Sequence, residues 1–103
     1  MFGLSENTLK IISDELTKYG EIEKALIFGS RAKGNYKSGS DIDIAIITKV
    51  ESDLIALDIN GKLNENSPLP YFFDVVSYQG IDNKKLKEHI DRVGIIFYER
   101  KIA

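Results

Sequence analysis

Asp41 and Asp43 stand one residue apart at the head of an apolar, β-branched run, and Asp74 stands alone within a later one, Tyr71-Phe72-Phe73-Asp74-Val75-Val76-Ser77-Tyr78. Side chains two apart along a strand point to the same face, so Asp41 and Asp43 can converge on one point. Carboxylates that close repel each other unless a cation lies between them. Mg²⁺ takes oxygen ligands and is commonly held by a few carboxylates together with substrate phosphates. Two such ions can activate an attacking oxygen and stabilise a leaving one. Asp74, from a neighbouring strand, would complete the set of oxygens. Paired acids at the start of a strand are ordinarily solvated. An acid among Phe72, Phe73, Val75 and Val76 is harder to explain that way, because burying it without a partner or a metal is costly.

Gly29-Ser30 precedes this pair by ten residues, 31 to 40. It falls where an apolar run ends, at a strand-to-helix turn whose free backbone N–H groups and Ser30 hydroxyl could cradle the oxygens of a triphosphate. Glycine allows the close approach. Arg31 and Lys33 follow directly and could add charge-assisted contacts to the same phosphates, although a solvated helix face explains them as well. His89, the only histidine, lies among Lys85, Lys87, Glu88 and Asp91. It reads as a solvated residue of a surface helix and receives no role. Tyr71, Phe72, Phe73, Phe97 and Tyr98 are at strand spacing and read as core or interface.

The elements that must position these groups follow from periodicity. Leu9, Ile12, Leu16 and Tyr19 recur at helical spacing from Ser5 to Tyr19, with Ser5 or Asn7 as N-cap and Gly20 as the stop. Lys24 to Phe28 is a short buried strand, and Arg31 to Ser40 is one helical turn and a loop. Asp41 to Thr48 is a strand whose far half is buried. Glu51 to Glu65 is a looser helix closed by Asn66-Ser67-Pro68. Tyr71 to Tyr78 is a third strand, Asn83 to Arg92 a helix, and Gly94 to Glu99 a last short strand. No repeat or linker interrupts the order, so the expected fold class is α/β in the α+β sense: a mixed sheet with the helices of 5–19 and 51–65 packed mainly on one face.

With 103 residues, the chain has room for one domain, 1–103, and one site. A composition of 43% hydrophobic and 29% charged residues is that of a folded globular protein. The net charge of −2 gives no broad basic surface for a long nucleic acid. Zero cysteines rule out thiolate metal sites and a Cys nucleophile. No apolar run approaches the roughly 20 residues of a membrane span. The expectation is a cytoplasmic protein without a membrane contact.

The run Gly29-Ser30-Arg31-Ala32-Lys33-Gly34 through Ser40-Asp41-Ile42-Asp43-Ile44-Ala45 resembles the signature of the DNA polymerase beta-like nucleotidyltransferase superfamily, in its minimal, stand-alone branch. The resemblance extends over nearly the whole chain in element order. It implies the minimal nucleotidyltransferase fold, with Asp41, Asp43 and Asp74 as catalytic residues and ligands of two Mg²⁺ ions. Asp74 matches the carboxylate that activates the attacking hydroxyl in other members. Gly29, Ser30, Arg31, Lys33 and Ser40 then form the nucleotide-binding set, and ATP or another NTP is the substrate. Minimal members are typically paired with a small helical HEPN-domain toxin, which they adenylylate on a tyrosine as its antitoxin. A hetero-oligomer with such a partner is therefore implied. The residues themselves leave the acceptor open. A module that neutralises a partner by contact alone and a transferase acting on a small molecule or RNA are the alternatives. The first is disfavoured by the intact set of carboxylates, the second by the absence of a second domain and of a basic surface.

Overall fold

The computed structural model describes residues 1–50 and 53–100. Helix α1 (Glu6–Thr17) starts at Ser5, whose side chain accepts a hydrogen bond from Thr8 N at 3.1 Å, as an N-cap serine does. Strand β1 (Ile22–Phe28) leads into the short helix α2 (Gly29–Lys33), which ends on Gly34 in the left-handed conformation. Strand β2 (Ile42–Thr48), helix α3 (Asp53–Glu65) and strand β3 (Phe73–Ser77) follow. A 3₁₀ turn, Tyr78–Gly80, leads to helix α4 (Lys84–Val93), capped by Asn83, and to strand β4 (Ile95–Glu99). The sequence places Tyr78 in the strand, but the chain has already turned there. The start of the expected helix, Glu51 and Ser52, and residues 101–103 lie outside the described residues.

The sheet has the order β3-β2-β1-β4, with β1 antiparallel to β2 and β4 and β2 parallel to β3. It is the mixed sheet that the order of elements predicts. Its two faces differ. Ile27, Ile42, Ile44, Ile46, Phe73 and Val75 point to one side and pack against Ile12 and Leu16 of α1 and Ala56, Ile59 and Leu63 of α3. This is the main core, and it places both longer helices on one face, as expected. Phe28, Ala45 and Val76 point to the other side, where Ile90 of α4 covers them. Strand alternation therefore puts Asp43, next to Ile42 and Ile44, on the α4 side of the sheet.

Strand β3 is an edge strand, and α3 closes its outer side. The Asn60 side chain accepts from Val75 N at 2.8 Å and donates to Val75 O at 2.7 Å. Asn64 does the same with Phe73, at 2.7 and 2.9 Å. Two asparagines one helical turn apart thus replace a neighbouring strand and satisfy backbone groups that an edge leaves open. Among the described residues no helix is long and apolar enough to cross a membrane.

Candidate active site

The carboxylates are positioned by strand register. Asp43 is paired with Phe28 across β1 and with Asp74 across β3. The parallel register sets Asp43 and Asp74 side by side on adjacent strands, about 4.8 Å apart along the hydrogen-bonding direction, and both are on the α4 face. Asp74 is exposed, and the residues on either side of it, Phe73 and Val75, are those pinned by Asn64 and Asn60. The edge strand therefore presents its acid on a fixed backbone. Asp41 lies one residue before β2 begins and is exposed.

Asp74 and Asp41 both act on Asp43 electrostatically. Partial burial, then the negative charge of Asp74 and that of Asp41, push the Asp43 carboxyl up to about 6. An acid desolvated among like charges holds its proton more tightly. Among the described residues the acids do not form a closed group of three within reach of one metal ion. What the structure brings together is Asp43 and Asp74 in register, with Asp41 near enough to disfavour the charge on Asp43. As a donor set this fits Mg²⁺, a hard cation that accepts carboxylate oxygens and fills its remaining positions with water and phosphate.

Facing Asp43 is the β1–α2 junction. Gly29 has φ +72°, and a Cβ there would overlap Asp43 Oδ2 and stand 3.2 Å from Asp43 Cγ. Glycine is required twice over, by its backbone conformation and by the close approach of the carboxylate. Ser30 is half-buried in the first turn of α2, where backbone N–H groups have no acceptor within the helix. The Asp43 carboxylate thus lies directly against the turn that opens α2, and carboxylates beside unpaired backbone donors are a donor set that suits a polyphosphate and its cations.

Arg31, Ser40 and Lys33, the other residues assigned to the nucleotide, are placed differently from Gly29 and Ser30. Arg31 is 3% exposed. Its guanidinium donates to Ser40 O at 3.0 and 2.9 Å and to Phe2 O at 2.8 Å, and lies 5.2 and 5.1 Å from the ring centres of Tyr36 and Tyr71. The reason is helical rotation: two residues advance the helix about 200°, so Arg31 points away from the side of Gly29. It staples the 31–40 loop and the N-terminal segment, with Nε, Nη1 and Nη2 each donating to a backbone carbonyl. Ser40 is part of that staple; its Oγ accepts from Lys37 N at 2.8 Å and closes a turn. Lys33 is exposed in the last turn of α2. At four residues from Gly29 it returns to the same side of the helix, about 6 Å along it.

His89 is the functional candidate that the sequence reading missed. It is half-buried on α4, its Nε2 accepts a hydrogen bond from Gly29 N at 3.2 Å, and its ring meets Phe28 edge-on at 6.1 Å. The charged residues beside it in sequence suggest solvent, but its spatial neighbours are those at three and four residues. His89 follows Leu86 by three and precedes Val93 by four, which places it on the apolar face.

Known proteins resemble this chain in sequence and in fold. A family model described as Polymerase beta, Nucleotidyltransferase matches residues 10–103. The chain is 31% identical over 100 residues to a probable protein adenylyltransferase, MntA, of Haemophilus influenzae, covering 90% of this chain and 87% of that protein. Its fold is that of a toxin–antitoxin complex solved with AMP-PNP, with a TM-score of 0.73 at 23% identity, over 95% of this chain and 76% of that one. It is also that of a complex of tri-AMPylated Shewanella oneidensis HEPN toxin with MNT antitoxin, with a TM-score of 0.62 at 19% identity, over 89% of this chain and 73% of that one. The chain belongs to the polymerase beta nucleotidyltransferase family.

Proposed function

We propose that this nucleotidyltransferase moves AMP from ATP to a tyrosine hydroxyl of a small helical HEPN-domain toxin, and so serves as its antitoxin. The observation that carries this is the juxtaposition of Asp43 and Asp74 in register, facing a glycine turn into which the Asp43 carboxylate fits. The Haemophilus relative named as an adenylyltransferase supports the choice of AMP and of a protein acceptor. The fold shared with antitoxins solved beside HEPN toxins supports the choice of partner.

Each residue then has a task. Ser30, through its N–H and hydroxyl, holds phosphate oxygens at the head of α2. Asp41, Asp43 and Asp74 supply the oxygens for two Mg²⁺ ions, which when bound neutralise the triphosphate and favour attack at its α-phosphorus. The acceptor oxygen bonds to that phosphorus, the bond to the bridging oxygen breaks, and pyrophosphate leaves. Asp74, exposed on the edge strand, receives the hydroxyl proton on its carboxylate. Lys33, on the Gly29 side of α2, is available to the outer phosphates. The expected place of work is the cytoplasm, where ATP and Mg²⁺ are at hand.

Growth of cells carrying the cognate toxin tests this. Co-expression of the wild-type chain should restore growth, and Asp41→Asn with Asp43→Asn should not, at equal antitoxin abundance. Rescue by the double variant equal to wild type would show neutralisation by contact alone.

A further inference from the structure

Nothing in the roles above uses His89, yet it reaches from α4 to the centre of the candidate site. Its Nε2 accepts from Gly29 N, and its ring lies against Phe28, so one side chain grips two consecutive residues at the junction of β1 and α2. An imidazole nitrogen accepts only when it carries no hydrogen, which assigns the neutral ring with its proton on Nδ1. Gly29 needs such a grip. Glycine populates positive and negative φ about equally, so its own preference does not select φ +72°. The conformation matters, because it aims the first turn of α2 and leaves room for the Asp43 carboxylate.

We infer that His89 is a positioning residue for the nucleotide: by holding the Gly29 N–H it fixes the turn that presents Ser30 to the phosphates opposite Asp43. Two consequences follow. The Gly29 N–H is committed to His89, so the phosphate cradle begins at Ser30. Helix α4 becomes part of the active site although it carries none of the three acids, and a displacement of α4 would loosen the nucleotide turn. This role rests on the nucleotide-transfer function proposed above.

The test uses the whole chain with ATP and Mg²⁺ as the probe, together with the tautomer of the sole histidine. Long-range ¹H–¹⁵N correlation at neutral pH should show the Nδ1–H form; an Nε2–H form would overturn the hydrogen bond. Calorimetry should show His89→Ala weakening ATP·Mg²⁺ binding about three- to tenfold, the size of one lost hydrogen bond. His89→Gln, whose Oε1 can accept in place of Nε2, should restore most of that loss. Equal binding by wild type and His89→Ala overturns the role, as does His89→Gln failing as badly as His89→Ala. If His89→Ala does not fold, binding by a folded His89→Gln at near wild-type affinity supports the role and weak binding overturns it. Absence of ATP binding by the wild-type chain instead removes the nucleotide-transfer function itself.

Discussion

Asp43 is the residue on which the physical chemistry of the site converges. Its carboxyl, raised to about 6 by burial and by Asp74 and Asp41, binds its proton more tightly in the native than in the unfolded chain. Between the ordinary value near 4 and about 6 the native state therefore holds the extra proton, and stability falls as pH rises through that window. In metal-free protein the melting temperature should decline from about pH 4 to 6 on this account. Asp43→Asn should flatten the decline and raise the melting temperature at pH 7. An unchanged pH profile in the variant would show that the three acids do not interact as the geometry implies. A second prediction separates Ser30 from Asp74. Ser30→Ala should weaken ATP binding by about 0.5 to 3 kcal/mol, as one charged hydrogen bond is lost. Asp74→Asn should chiefly slow the chemical step and leave ATP affinity nearer normal, as steady-state kinetics against ATP would show.

Elements carry these residues, and their backbone bonds decide how firmly. Asp74 is on an edge strand whose outer side is held by two asparagines of α3. Asn60→Ala leaves the Val75 N–H and C=O without partners, at a cost of about 1 to 3 kcal/mol for each buried group left unpaired. Amide exchange at Val75 should accelerate in that variant, and transfer activity should fall with the Asp41–Asp43 segment still in place. Slow exchange retained at Val75 would mean that the strand needs no such support. Strands and long helices were legible in the sequence because period-2 and period-3.6 patterns report which face is buried. The same alternation put Asp41 and Asp43 on one face, whereas Asp74 stood out only as an acid within an apolar strand. The rest was illegible for a geometric reason. Arg31 follows the glycine turn in sequence but is rotated about 200° from it, and its partners, Phe2 and Ser40, lie at distances no local pattern encodes. His89 and Gly29 are 60 residues apart, so a helix-face count could place His89 on the apolar side but could not name what it touches.

At the scale of the molecule, the long helices bury one face of the sheet and leave the other to α4 and the acids. A reactive centre built on the less covered face, with Asp74 on an edge strand, leaves room for a large acceptor to approach. That suits a protein substrate better than a small one enclosed in a pocket. The most direct measurement of the central claim is the intact mass of the partner toxin after incubation with this chain, ATP and Mg²⁺. The account predicts a mass gain of one or more whole AMP units on the toxin, located on tyrosine by fragmentation and absent with Asp41→Asn or Asp43→Asn. An unmodified toxin that is nevertheless bound and neutralised by the wild-type chain would contradict it.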